Sequence, residues 1–288
     1  MIAVTGAAGN VGSKVAELLL DDGQPVRALE HRRPLEELGR RGAEIVTGDL
    51  ADPGDLGLLL KDAEAALVLL PDVVTDPAFT ANRSRMARAI ADALGRSRVG
   101  HVVVLSTLDA GRDGASGPAA GLRELEQLLA GLTDRAVLVL RSPFYMENLL
   151  AAVPLIRAQG VNGSALDPDL SLPMIATRDV AAEAAERLRR RDFSGHRVKV
   201  LVGPEDISLR AATLALGRRL GLGEVSYVQF PPAGVTGALV GAGLSPDAAA
   251  AMVELQLGLN AHGSFAAVRA DADTVGSTRL ERFLEVVT

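Results

Sequence analysis

A chain of 288 residues with 48 % hydrophobic and 23 % charged side chains has room for one large domain, or two intimately joined ones, around an apolar core. Its net charge of −6 argues against a nucleic-acid binder, and the absence of cysteine removes disulfides, thiolate nucleophiles and zinc–thiolate sites. No basic region leads an apolar stretch at the amino end and no apolar run reaches bilayer length, so the expectation is a cytoplasmic protein without membrane contact.

In chain order, short β-branched runs alternate with helical patterns. Strands are predicted over 2–5, 26–29, 44–47, 66–70, 101–106 and 136–140. Their unbroken apolar character suits a parallel sheet covered on both faces. Val11, Val15, Leu18 and Leu19 share one face of the first intervening helix, and Asp52 followed by Pro53 reads as an N-cap and first helical residue. This βαβα order predicts an α/β fold with a doubly wound parallel sheet. After Arg141 the rhythm changes. "SPFYMENLLAAVPLIRAQG" reads as a loop entering a helix, which Tyr145 and Asn148 open. "TRDVAAEAAERLRRR" reads as a helix capped by Asp179, and 197–202 as a further strand. Two more helices follow, the second opened by Ser245 and Pro246. Thr278 with Glu281 predicts a capping box for a last short helix. The expected organisation is a nucleotide-binding domain over 1–145 and a smaller α-rich substrate region over 146–288, with 175–202 returning to the sheet.

The stretch "VTGAAGNVGSKV" is a strand that breaks into a glycine-rich turn and re-enters as a helix. Gly6, Gly9 and Gly12 allow a tight turn, close backbone approach to a phosphate, and close packing of helix on strand. The helix N-terminus offers N–H groups and a positive dipole end to a pyrophosphate. At the end of the second strand stands "VRALEHRRP". Glu30 occupies the place of an acid that binds ribose hydroxyls, which favours NAD. His31, Arg32 and Arg33 follow at once and suit a 2′-phosphate, which favours NADP; solvated helix-start charges are the alternative. Asp49, after the third strand, is placed either to meet adenine or to shape the turn before Asp52.

"VTGAAGNVGSKV", "VRAL", "GAEIVTGDLADP", "HVVVLSTL", "LRSPFYMENLL" and "TRDVAAEAA" fall in an order and spacing that resembles the NmrA-like branch of atypical short-chain dehydrogenases. The resemblance runs from Met1 to Val202 and more loosely to the end. It implies a Rossmann fold that binds NADP(H), with NAD(H) as the alternative, and a small carboxyl-terminal substrate region. It also implies one of several roles. These are a quinone reductase, a reductase of aromatic compounds, a natural-product tailoring protein of polyketide type, or a redox sensor that binds the dinucleotide without turnover. Carried over by position, Thr5, Gly6, Gly9, Asn10, Val11 and Gly12 form the phosphate loop. Asp49 and Leu50 lie near adenine, Leu70 and Pro71 near the inner ribose, Ser106 and Thr107 near the nicotinamide, and Pro143 and Phe144 beside its ring. At Glu30 the chain departs from the family, which more often has a neutral residue there.

The proton donor of typical short-chain dehydrogenases, a Tyr with a Lys four residues later, is absent. Leu149 stands four residues past Tyr145 and Pro231 four past Tyr227, and the three lysines are Lys14, Lys61 and Lys199. Reduction of a simple ketone makes a basic alkoxide and needs a positioned acid. Reduction of a quinone or conjugated enone makes a delocalised anion that a weak donor or water can protonate. The expectation is therefore an NAD(P)H-dependent oxidoreductase acting on a quinone or conjugated aromatic or enone small molecule. The alternatives are a non-catalytic NAD(P)-sensing regulator or a natural-product tailoring protein. Candidate catalytic residues are Ser106, Thr107 and Tyr145, and candidate substrate contacts are Phe79, Tyr145, Asn148 and His262. Phe144, Met146 and Met174 are further apolar candidates for a substrate wall, His101 is read as structural and His196 as solvated. No metal spacing is present, so no metal is expected, and the partner is a small molecule rather than nucleic acid, with a homo-oligomer left open.

Overall fold

The computed structural model describes residues 1–112 and 114–287. The first half alternates strand and helix: β1 (Ile2–Val4), α1 (Gly12–Asp21), β2 (Val26–Glu30), α2 (Glu36–Arg40), β3 (Glu44–Thr47), α3 (Pro53–Leu60) and β4 (Ala65–Val68). It continues through α4 (Phe79–Arg96), β5 (His101–Thr107), α5 (Pro118–Ala130) and β6 (Ala136–Ser142). The second half holds α6 (Val153–Gln159), β7 (Val161–Ser164), β8 (Ser171–Leu172), α7 (Thr177–Arg190) and β9 (His196–Val202). Then come β10 (Ile207–Ser208), α8 (Leu209–Arg219), β11 (Ser226–Gln229), α9 (Pro232–Gly241), α10 (Pro246–His262), α11 (Ala266–Ala270), β12 (Thr274–Val275) and α12 (Leu280–Leu284). No helix among the described residues is long and apolar enough to cross a membrane.

An eight-stranded sheet runs in the order β12-β9-β6-β5-β4-β1-β2-β3. Parallel register sets Ile2 beside Val26 on one side and beside Ala65 on the other. The chain winds outward from β1 through β2 to β3, then restarts at β4 and proceeds the other way. The reversal between β1 and β4 is the switch point at which doubly wound sheets bind ligands. The expected doubly wound fold is thus the observed one.

The chain divides into two compact units, the first made of 1–73, 78–141 and 180–199, the second of 74–77, 142–179 and 200–288. In the first, Ala66, Val68, Val102, Val104, Val137 and Val139 pack in one core with Leu56, Leu59, Ile90, Leu94, Leu125 and Leu129 of α3 to α5. Val103, which alternates to the opposite face, is also fully buried. Burial on both faces accounts for the unbroken apolar strands. Asp52 caps α3, its carboxylate accepting the N–H groups of Gly54 and Asp55.

The second unit holds its short strands as two small ladders, β7 with β11 and β8 with β10. Ser245 caps α10 by accepting the Ala248 N–H, as its sequence position predicts. Four local expectations are corrected. Neither Asp179 nor Thr278 caps its own helix: the Asp179 carboxylate accepts both the Thr278 N–H and its hydroxyl, at 2.9 Å each. The last helix consequently begins at Leu280 with no side-chain cap. β4 ends at Val68, two residues early, because Leu69 turns to meet Thr5. The helix after Tyr145 is a 3-10 helix over Met146–Ala152 before α6 begins.

Candidate functional site

The glycine turn after β1 is built by exclusion. Gly6 has φ +61°, a left-handed conformation, and a Cβ there would overlap the Leu69 side chain. A Cβ on Gly12 would overlap the Gly6 carbonyl oxygen, and one on Gly9 would stand 3.3 Å from that oxygen. Gly9 N–H donates to Gly6 O at 2.9 Å and closes the turn. No side chain caps the amino end of α1, and its first turn carries no acid. An N-terminus left in this state fits a diphosphate: it presents N–H donors and a positive dipole end, and nothing anionic competes. Thr5 is tied to the sheet rather than to the turn. Its hydroxyl accepts the Leu69 N–H at 2.9 Å and stitches β1 to the end of β4.

At the end of β2, Glu30 is half-buried and His31, Arg32 and Arg33 are exposed. One Glu30 oxygen accepts the Leu35 N–H at 2.7 Å, and His31 Nδ1 lies 2.9 Å from the Gly48 carbonyl oxygen. Both residues therefore hold the backbone around this corner. Arg32 and Arg33 are exposed in the loop before α2. After β3, Asp49 accepts the Ala51 N–H and donates its own N–H to Asp55, both at 2.8 Å, while Leu50 is buried. Asp49 is thus a turn-forming residue in this arrangement.

Beyond β4, Leu70 is buried and Pro71 half-buried. Arg83 of α4, only 3 % exposed, fixes this loop. Its guanidinium donates to Asp72 and, at 3.0 Å, to the carbonyl of Pro118 at the start of α5. Burial pulls the guanidinium below its ordinary pKa and Asp72 opposes that shift. Phe79, one turn earlier on α4, is 1 % exposed with its ring 5.6 Å beneath the Arg83 guanidinium carbon. It packs core, so the expected substrate contact is withdrawn from that residue.

At the ends of β5 and β6 a second buried charge organises the site. Ser106 is 4 % exposed and donates its hydroxyl proton to Glu126 Oε1. Glu126, on α5 and 6 % exposed, also meets Arg141 of β6: Nε lies 3.2 Å from Oε1 and Nη2 2.5 Å from Oε2. This fork-to-carboxylate pairing is the stronger kind of ion pair. Ser106 is thereby corrected as a candidate acid, because its one proton already points at Glu126. Thr107 closes the strand half-buried and caps nothing.

Sequence reasoning missed Glu126, Arg141 and Arg83, though a signal existed. Glu126 occupies the helical stripe of Leu122, Leu125 and Leu129, and Arg83 the stripe of Phe79, Met86 and Ile90. A charge at a core position of an amphipathic pattern is paired when buried.

In the second unit, Phe144 and Met146 clasp Ile175: Ile175 N–H donates to Phe144 O and Met146 N–H to Ile175 O, both at 3.0 Å. Glu147 accepts the Thr177 N–H on both oxygens, at 3.1 and 3.0 Å, and locks this segment to the start of α7. Ser142 donates to the Tyr145 hydroxyl oxygen at 2.9 Å. Pro143 and Phe144 are half-buried and Asn148 is exposed. Met146 and Met174 are fully buried. His262 ends α10, its ring stacked on Phe265 with centroids 4.2 Å apart. His101 opens β5 edge-on to Phe193, and His196 is exposed.

A family model described as the NmrA-like family matches residues 1–284. The chain belongs to the NmrA-like family. Among this NmrA-like chain's relatives, the (4-alkanoyl-5-oxo-2,5-dihydrofuran-3-yl)methyl phosphate reductase of Streptomyces griseus is 35 % identical over 224 residues, 77 % of this chain and 74 % of that one. The NAD(P)H azoreductase of Xenophilus azovorans is 28 % identical over 256 residues, 88 % of this chain and 86 % of that one. The solved structure of the NADPH-dependent quinone oxidoreductase QOR2 of Escherichia coli, complexed with NADPH, matches with a TM-score of 0.80 over 99 % of each chain at 24 % identity. That last likeness is one of fold. The NmrA-like match extends through both compact units.

Proposed function

We propose that this protein is an NADP(H)-dependent reductase of a quinone or a conjugated enone, with NAD(H) as a weaker alternative. The observation that carries the reading is the turn after β1, where Gly6 and Gly12 leave no room for a side chain and the α1 N-terminus is left uncapped. A nicotinamide coenzyme bound there supplies the hydride. Gly6, Gly9, Asn10, Val11 and Gly12 hold the diphosphate by backbone N–H groups. Arg32 and Arg33 supply the positive charge that selects a 2′-phosphate, while Glu30 keeps the loop in place through Leu35. Leu70 and Pro71 border the inner ribose.

The α5 sequence, PAAGLRELEQLLA, holds neither Tyr nor Lys. A substrate whose reduced anion is delocalised is therefore the one this chain can protonate with a weak donor. Tyr145 is that donor: its oxygen already accepts from Ser142, which steadies charge on that oxygen as its own proton leaves. The names of the relatives support the same class, since each reduces a small conjugated molecule or carries "NAD(P)H" in its name.

The test is NADPH and NADH oxidation, followed by absorbance, with a panel of quinones, unsaturated lactones and simple ketones. Oxidation of NADPH by a quinone or an unsaturated lactone, and not by the ketones, is expected. Tight binding of NADPH with no oxidation by any acceptor replaces the enzyme with a dinucleotide-sensing regulator.

A further inference from the structure

We propose that Arg83 is a positioning residue that acts through Asp72 and the Pro71 carbonyl, and holds the segment after β4 in the one place from which it lines the nucleotide groove. The inference rests on the dinucleotide reading above. The reversal between β1 and β4 puts the ligand crevice of a doubly wound sheet between the glycine turn and this segment. The segment is clamped at both ends. At the near end, the Leu69 N–H donates to the Thr5 hydroxyl at 2.9 Å, and the Leu69 side chain lies where a Cβ on Gly6 would stand. At the far end, Arg83 Nη1 donates to Asp72 and, at 3.4 Å, to the Pro71 carbonyl. Only Leu70 stands between the two clamps.

The far clamp holds only if Arg83 itself cannot move. Its Nη2 donates to the Pro118 carbonyl at 3.0 Å, at the start of α5, and the Phe79 ring lies beneath the guanidinium. Gly121 closes the space beside it: a Cβ there would stand 3.1 Å from the Arg83 Cβ and 3.3 Å from its Nε. Arg83 is 3 % exposed, so it acts on a ligand through the residues it holds. A guanidinium is planar and its donors keep fixed angles, so the anchor at Pro118 fixes the direction in which Asp72 is held. A lysine ammonium, a point charge on a flexible stem, does not fix both sides at once. Asp72 differs from Arg83 in burial. Its side chain is 47 % exposed, so water replaces it when it is removed and the core is not disturbed.

The experiment reads binding by calorimetric titration with three probes: NADPH, NADH and 2′,5′-ADP, which carries only the phosphorylated adenosine. Asp72→Ala is expected to weaken NADPH and NADH alike by about fivefold, and Arg83→Lys by about tenfold, the scale of one charge-assisted hydrogen bond. Binding of 2′,5′-ADP is expected to stay within about twofold of the unaltered protein, because the charged β2 corner lies across the switch point from this clamp. The melting temperature of Asp72→Ala is expected within about 2 °C of the parent, as for a surface substitution. Asp72→Asn keeps an acceptor for Nη1 and is expected to recover most of the lost affinity. Asp72→Ala combined with Arg83→Lys is expected to lose no more than Arg83→Lys alone, since both loosen the same clamp. A merely structural role predicts the opposite pattern: all three probes weaken together, in step with the melting temperature. That outcome, an additive double variant, or unchanged NADPH binding in Asp72→Ala overturns the proposal while leaving the dinucleotide reading intact. Asp72→Ala and Asp72→Asn decide alone if Arg83→Lys does not fold. Failure of the unaltered protein to bind any of the three probes overturns both readings.

Discussion

The two corners of the sheet that flank the switch point are built on opposite principles. At the end of β2, Arg32 and Arg33 lie exposed in a loop whose shape Glu30 and His31 maintain. At the ends of β5 and β6, Ser106, Glu126 and Arg141 are interlocked and mostly buried. Exposed cations act through a field that salt screens and that tolerates rearrangement. A buried network acts through fixed directions, because each hydrogen bond has one geometry and a missing partner costs the desolvation of the other. The difference teaches that one corner of the sheet presents charge to solvent while the other holds charge in fixed directions in the interior.

The contrast can be tested from its hub outward. Gly12→Val drives a side chain into the Gly6 carbonyl and removes the cradle shared by both corners. Binding of NADPH and of 2′,5′-ADP should fall together by about 100-fold or more, as the backbone approach to phosphate is lost. Retention of either probe would show that the corners bind independently of the turn.

Next in size is the buried arginine. Arg83→Leu deprives the Pro71 and Pro118 carbonyls of their donor. Urea unfolding should register a loss of about 2 kcal/mol. The exposed pair should behave otherwise: Arg32→Ala and Arg33→Ala should each stay within about 0.5 kcal/mol of the parent. Equal losses at all three positions would erase the distinction between the buried and exposed charges.

Smaller still is the coenzyme preference. Removing Arg32 and Arg33 together should weaken NADPH about tenfold and leave NADH within about twofold, with the difference shrinking as salt is added. A parallel loss for NADH would mean that these arginines do not read the 2′-phosphate.

The smallest effect lies at the opposite end of β5. Burial, aided by the Arg191 charge, holds the His101 imidazole below its ordinary value of 6.5, against a backbone hydrogen bond at Arg191. The folded protein then binds fewer protons than the unfolded chain, so stability falls with falling pH through that window. Above pH about 6.5 the penalty is absent, and it is complete only below the depressed folded value. His101→Asn should therefore gain on the parent in urea midpoint as pH drops from 7 to 5, with no change in NADPH affinity at pH 7. A pH-independent offset between the two proteins would remove His101 from the account.

Much of this was legible in the residues themselves. The strand, turn and helix around Gly6, Gly9 and Gly12 follow from spacing alone, and so do the caps at Asp52 and Ser245. Asp179 and Thr278 were misread because both look like caps of their own helices, yet they bond to each other across 99 positions. Ser106 was offered from its place at a strand end, for substrate or cofactor ribose alike, and nothing local says that its proton goes to Glu126 of α5. Phe79 was read as a wall because nothing local says that Arg83 covers it.

The sequence by itself determined the doubly wound sheet, the nucleotide turn and the lack of a Tyr–Lys pair, since periodicity, glycine spacing and residue identity are local or countable. Only the tertiary structure decided which buried charges are partners and where the Ser106 proton points. Those depend on how α5 lies against β5 and β6, and on the direction of individual hydrogen bonds. A linear pattern can show that Glu126 sits on a buried stripe, but the guanidinium that neutralises it is chosen by packing.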